Sequence, residues 1–296
     1  MLSLCQRMQQ VGEMATLVSL YLAFKFSLAK ESRLTSTVLT KVSVAFIYRE
    51  ARFGSETISQ TYLAENLQVL GEEKDWLHVR QEDGYEGWIA SFFVVEKPEL
   101  WDDYDFFSPA SQISWVYQNP DTQSSTIRDM TILSSLPVLG HSAGWVQVLL
   151  PDGFKGWVED IPGHTRKSLD VEQLIRTASS FLGIQYFWGG KTPKGFDCSG
   201  FVQTCFHLNG IELPRDAHQQ AEIGQRLSDD YRTWQAGDLI FFSERPEKIT
   251  HVAISLGDGD YIHASGYVKI NSLNQDHADL YLDKYLKIFT RTVRPF

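Results

Sequence analysis

The sequence predicts an α+β protein in which a catalytic α+β domain follows two small all-β barrels. Three observations predict it. A stretch of 21 residues recurs within the first half of the chain. After Ser168 the hydrophobic pattern changes from strand-like to helix-like, and the segments that follow the helices read as strands again. Helices followed by an antiparallel meander make an α+β domain.

The repeat comes first. VLGEEKDWLHVRQEDGYEGWI (69–89) aligns without gaps on VLGHSAGWVQVLLPDGFKGWV (138–158), with nine identities in 21 that include the pairs Trp76/Trp145 and Trp88/Trp157. Each copy runs through short alternating strands to Asp-Gly, an aromatic, Gly-Trp and an aliphatic. Asp-Gly supplies a tight turn, and the tryptophan packs back onto a small barrel. The copies resemble bacterial SH3-like domains, which end in such a unit. The resemblance places one at 38–97 and one at 105–162, with an acidic, aromatic connector at 98–104.

Ahead of them, residues 1–37 contain an apolar run, 14–24, too short to span a bilayer. Ser27 and Ala29 have the small side chains of a signal-peptidase site, but the segment before them is hardly basic and Lys25 interrupts the approach. A cleaved signal and an N-terminal helix both stay open. The site of action is accordingly cytoplasmic, in recycling, or periplasmic or secreted if residues 1–29 are removed.

In the second half, Asp170 with Gln173 reads as a capping box. Leu174, Ile175, Ala178, Phe181 and Leu182 form the apolar face of the helix it starts, and Gly183 ends that helix. A second helix begins at Cys198, turns Phe201, Val202, Cys205 and Phe206 inward and stops at Asn209-Gly210. DLIFF (238–242), HVAISL (251–256) and YIHAS (261–265) read as strands.

Composition narrows the chemistry. The formal charge of −10 argues against nucleic-acid or anionic-membrane binding. Cys5, Cys198 and Cys205 neither make a disulfide framework nor show metal-ligand spacing with a histidine. Cys205 lies seven positions after Cys198, on nearly the same helix face, and reads as core.

Cys198 stands in GFDCSGF, where a glycine-flanked coil enters a helix. Unpaired N–H groups at a helix start favour the thiolate, the nucleophilic form. His251 and His263 lie on consecutive strands joined through GDGD, twelve residues apart. They are directly opposite if the turn centres on Gly257, and they share a sheet face if the loop is odd or carries a bulge. Nucleophilic catalysis needs this geometry: one imidazole accepts the thiol proton and returns it to the leaving amine, and a second polar group orients that imidazole. We assign the base to His251 and the orienting role to His263. The His251 ring is expected within hydrogen-bond reach of the Cys198 sulfur, with some looseness in the absence of substrate.

YFWGGKTPKGFDCSGF, LPRDAHQQA, AGDLIFF, HVAISLGDGDYIHAS and VKINSL are similar to the motifs of the NlpC-type branch of papain-like cysteine peptidases, which hydrolyse bacterial cell-wall peptides. The likeness covers 168–296 and implies Cys198 as nucleophile, His251 as base and His263 as third residue. It also implies that Tyr186 faces the nucleophile, where its hydroxyl would join the Cys198 N–H on the oxyanion, and that Trp188 lines the cleft.

Two SH3-like units ahead of such a domain resemble γ-D-glutamyl-L-diamino-acid endopeptidases, which grip the free amine of L-Ala-γ-D-Glu with acidic and tyrosine side chains. The resemblance implies substrate-binding roles for Asp197, Ser199, Tyr85 (in DGYEGW), Glu56 (in GSETISQ), Arg215 and Asp216. Carboxylates gathered at a closed end would pair with an ammonium and exclude longer chains. Many relatives have a serine where this chain has Ala217, so that hydroxyl is missing or replaced, with His218 the candidate.

The expected activity is therefore cysteine-peptidase cleavage of the γ-D-glutamyl-diamino-acid bond of murein peptides, with no metal or organic cofactor. Amidase or acyl-transfer chemistry with the same triad, and a non-catalytic wall-binding protein, are the alternatives. The oligomeric state is open and compatible with a monomer.

Overall fold

The computed structural model describes residues 36–161, 170–245 and 248–296. Cys5 and the N-terminal segment, with its two readings, lie outside the described residues. Among the described residues no helix is long and apolar enough to cross a membrane.

The first repeat lies in a seven-stranded antiparallel sheet. Its strands are β1 (Thr37–Thr40), β2 (Val44–Tyr48), β3 (Thr57–Tyr62), β4 (Asn66–Glu73), β5 (Trp76–Arg80), β6 (Glu86–Ala90) and β7 (Val94–Glu96), in the order β3-β2-β6-β5-β4-β1-β7. The second lies in a six-stranded sheet: β8 (Phe106–Phe107), β9 (Ile113–Tyr117), β10 (Thr126–Thr131), β11 (Leu136–Ser142), β12 (Trp145–Leu149) and β13 (Lys155–Glu159), ordered β10-β9-β13-β12-β11-β8.

Structure explains the shared letters. A Cβ on Gly87 would come within 2.5 Å of Ile47 Cγ2 and 2.9 Å of the Tyr48 carbonyl, and one on Gly156 within 2.4 Å of Val116 Cγ1 and 2.9 Å of the Tyr117 carbonyl. The Gly-Trp glycine is therefore a point of close approach between strands that admits no side chain, in both copies. Tyr48 meets Trp76 edge-on at 5.5 Å, and Tyr117 meets Trp145 edge-on at 5.6 Å.

The connector is more than a spacer. Trp101, in a short 3-10 turn, is buried in one apolar cluster with Leu39 and Leu63 of the first unit and Phe107 and Val116 of the second. Its ring plugs the seam between the two sheets.

The catalytic region has helices α1 (Val171–Ser180), α2 (Cys198–Leu208), α3 (Ala217–Gln220) and α4 (Asp283–Lys287). Its strands are the short hairpin β14 (Lys191–Thr192) and β15 (Gly195–Phe196), then β16 (Gln225–Arg226), β17 (Leu239–Phe242), β18 (His251–Gly257), β19 (Asp260–Ser265), β20 (Tyr267–Ser272) and β21 (Phe289–Arg294). The main sheet is antiparallel with order β16-β21-β17-β18-β19-β20. Asp170 caps α1 by accepting from the backbone N–H of Glu172 and Gln173. Leu174, Ala178 and Phe181 of its apolar face are buried, whereas Leu182 is exposed, because the helix has already ended at the Phe181 C-cap. Helix α2 packs Phe201, Val202, Cys205 and Phe206 into one core with Val252 and Ile254 of β18. The helix that begins at Cys198 thus lies against the strand that begins at His251.

Candidate active site

Asp197 is the N-cap of α2, and its Oδ1 accepts from the Gly200 N–H at 2.7 Å. Cys198 is the first helical residue, as its place in the sequence predicts, yet its thiol is not poised as a thiolate. Burial pushes its pKa up to about 12, the Asp197 charge adds to this, and the Val252 and Ser199 N–H groups only partly oppose it. Desolvation outweighs the helix end, so the resting group is the thiol.

The histidines share a face, but not by the direct pairing expected. Asp258 and Gly259 form a two-residue turn with φ of 51° and 84°, and the register shifts between Ser255 and Gly257. Ile254 therefore pairs with Ile262, and the two histidines stand diagonally across β18 and β19. The bulge keeps them on one side. His251 Nε2 lies 2.7 Å from His263 Nδ1, and His263 Nε2 lies 3.0 Å from Asn271 Oδ1 on β20.

The Cys198–His251 hydrogen bond is not among those of the described residues. Cys198 Sγ instead is directed at the Thr250 carbonyl, 4.0 Å away, with the Val252 N–H close by. The thiol thus rests on the strand backbone on either side of His251. Burial, aided by the charges of Lys284 and Lys269, lowers the His251 pKa to about 4, and burial likewise holds His263 well below the usual range. Thiol and both imidazoles are neutral near pH 7.

Over the dyad lies Tyr285 of α4, which the sequence did not single out. It stacks on His251 at 5.8 Å, meets His263 edge-on at 5.1 Å and donates to Ser265 Oγ at 2.8 Å. Asn271 was also missed. Tyr186 is half-buried beside Cys198 and Asp197; burial and those two neighbours hold its hydroxyl protonated, hence a donor.

The expected amine-binding residues divide into two groups. Asp197 is fully engaged: Arg215 Nη1 and Nη2 reach Oδ1 and Oδ2 at 3.0 and 2.5 Å, and the Gly189 N–H reaches Oδ2 at 3.0 Å. Ser199 Oγ accepts from Arg215 Nη1 at 3.0 Å. Arg215 is itself buried. These three form an internal brace beside Cys198, not a free anionic pocket, because every Asp197 carboxylate lone pair already has a donor. The second group lies where the first barrel meets the catalytic region. Tyr85, at the β5–β6 turn, points its hydroxyl at Asp216 Oδ1, 3.3 Å away, and Trp188 Nε1 donates to Glu56 at 3.1 Å. Arg49 also holds Glu56, at 2.6 Å, and lowers its pKa. Ala217 is buried and His218 exposed.

A separate cavity of about 470 Å³, lined by Glu65, Asp83, Lys191, Gln203 and His207 among others, contains none of these residues. No group of three or more His, Cys, Asp or Glu among the described residues could hold a metal.

A cysteine at a helix start, packed on an antiparallel sheet that carries a histidine pair, defines a papain-like cysteine peptidase. Residues 183–288 match the NlpC/P60 family, and residues 47–91 match the bacterial dipeptidyl-peptidase SH3 domain. The gamma-D-glutamyl-L-lysine dipeptidyl-peptidase of Bacillus cereus is 31% identical over 224 residues, 70% of this chain and 66% of that protein. Dipeptidyl-peptidase 6 of Lysinibacillus sphaericus is 30% identical over 254 residues, 79% of this chain and 90% of that one. A crystal structure of an NlpC/P60 family protein from Bacillus cereus shares the fold, with a TM-score of 0.75 and 24% identity over 88% of this chain and 99% of that one. The chain belongs to the NlpC/P60 family of cysteine peptidases.

Proposed function

We propose that this protein cleaves the γ-D-glutamyl-diamino-acid bond of murein peptides that carry a free N-terminal L-Ala. The observation that carries the reading is the contact of Tyr85 with Asp216, which brings a hairpin of the first barrel across to the residue after Arg215. A carboxylate and a phenol meeting there, with Glu56 on the same barrel, suit an ammonium and would exclude peptides extended beyond it. The names of the relatives from Bacillus cereus and Bacillus subtilis, gamma-D-glutamyl-L-lysine dipeptidyl-peptidases, agree with it.

In the proposed reaction Cys198 Sγ attacks the γ-carbonyl carbon as its proton passes to His251 Nδ1. The carbonyl electrons move to oxygen, which the Cys198 N–H and the Tyr186 hydroxyl stabilise. Collapse expels the amine of the diamino acid, which takes the proton from His251, and leaves a thioester. Water, deprotonated by His251, then releases L-Ala-γ-D-Glu and the thiol.

The test compares L-Ala-γ-D-Glu-diaminopimelate with its N-acetylated form on wild type, Tyr85→Phe and Cys198→Ala. Wild type is expected to cleave the free-amine peptide at least about 100-fold better in kcat/KM, the cost of an unpaired buried polar site. Tyr85→Phe should raise KM, and Cys198→Ala should be inactive. Equal cleavage of both peptides by wild type overturns the amine anchor.

A further inference from the structure

The histidine pair does not end at His263. Asn271 Nδ2 lies 3.1 Å from the Leu280 carbonyl, which also accepts from the Ser272 N–H at 2.9 Å. A carbonyl can only accept, so the amide must present nitrogen to Leu280 and oxygen to His263. That oxygen also only accepts, so His263 must carry its proton on Nε2. His263 Nδ1 is then a bare lone pair, and it faces His251 Nε2 at 2.7 Å. His251 must in turn carry its proton on Nε2, which leaves Nδ1 as the basic nitrogen.

We infer that Asn271 is a positioning residue which, anchored by the Leu280 carbonyl, sets the tautomers of both histidines so that His251 Nδ1 is the base. The inference rests on the proposed role of His251 in the reaction above. The register supports it independently. His263 pairs with Lys269 and Tyr261 with Asn271, so Asn271 stands diagonal to His263 as His263 stands diagonal to His251. The chain of donors crosses β18, β19 and β20 on one face of the sheet and ends on backbone. Tyr285 and Tyr261 enclose it, and no carboxylate is among the groups that shift the two histidines; Lys269 and Lys284 act on both, and His251 acts on His263. A neutral amide can therefore orient the imidazoles without making them cationic at rest, which a carboxylate in the same place would not do.

The experiment reads the tautomers directly, by long-range proton–nitrogen NMR of the imidazoles in the full chain, together with kinetics on L-Ala-γ-D-Glu-diaminopimelate. In wild type both His251 and His263 are expected as Nε2–H tautomers. Asn271→Leu, which keeps volume and removes the acceptor, should mix the His263 tautomers and lower kcat by about tenfold or more, with KM within about threefold. Asn271→Asp, which restores an acceptor for Nε2–H, should recover kcat relative to Asn271→Leu and move the acid limb of kcat/KM to higher pH. A wild-type His251 protonated on Nδ1 overturns the inference even if Asn271→Leu fails to fold. So does an Asn271→Leu protein with wild-type tautomers and kcat. Activity that survives in Cys198→Ala or His251→Ala would instead overturn the reaction reading, and it would leave the tautomer spectrum as predicted.

Discussion

Cys198 and His251 are both neutral at rest because both are shielded from water, and for His251 this has a measurable consequence at acid pH. His251 has its folded pKa lowered from 6.5 to about 4. Between those values the unfolded chain binds a proton that the folded chain refuses. Stability is therefore full above about pH 6.5 and falls as the pH drops toward 4, by on the order of 3 kcal/mol for this one group. Thermal melts from pH 7 to pH 4 should show a steady loss in Tm that His251→Gln reduces. The same shift predicts an acid limb of kcat/KM near pH 4. A limb near 6.5 would mean that His251 is far better hydrated than its place under Tyr285 allows. N–H groups at the helix start favour a thiolate, but burial of Cys198 outweighs them, and that burial cannot be read from GFDCSGF itself.

At the scale of elements, helix α2 is held in place from beneath its first turn. Asp197 caps it and binds Arg215, whose side chain is 1% exposed. Removing the guanidinium leaves a buried carboxylate without its counter-charge, so Arg215→Met should cost about 3–5 kcal/mol. The check is a denaturant melt alongside kcat, and both should fall, because the residue that loses its anchor adjoins the nucleophile. Local elements were largely legible. The helix at Cys198, the strands at 239–242, 251–257 and 260–265, and the repeated Asp-Gly turns all carry their own short-range signals. Contacts made only in three dimensions were not. Nothing in LPRDAHQQA says that Arg215 returns to a carboxylate 18 positions earlier, and the bulge at Leu256 decides a register that residue counting placed around Gly257. Asn271 and Tyr285 join the site through sheet register and the packing of α4, neither of which leaves a periodic trace.

Across the whole molecule, a buried polar seam fastens the first barrel to the catalytic region. Lys191 Nζ meets Glu65 Oε1 at 3.0 Å with both side chains under 8% exposed, at 7% and 2%. Gln60 Oε1 accepts from the Lys191 N–H at 3.0 Å and from Thr192 Oγ1 at 2.9 Å, and Asp83 accepts from Gln203 at 2.9 Å. Asp83 is two residues from Tyr85, so this seam also fixes the hairpin that carries Tyr85 to Asp216. Lys191→Met strands the Glu65 carboxylate. It should lower Tm, by the few kcal/mol of a broken buried pair, and raise KM for the free-amine peptide more than it lowers kcat. An unchanged KM would show that the tip is placed without the seam.

The two repeats share a backbone but not a tip: where the first has Tyr85 against Asp216, the second has Phe154, 60% exposed. Tyr85 and Asp216 are 131 positions apart in the chain. The part of the molecule that would limit what enters is thus encoded far from the part that reacts. The Tyr85 side chain itself belongs to neither the cap, the Arg215–Asp197 pair nor the histidine chain, so that one position can drift under its own constraints. A duplicated barrel gives such drift a spare copy to work on, so substrate length could be retuned over evolutionary time without the chemistry being rebuilt.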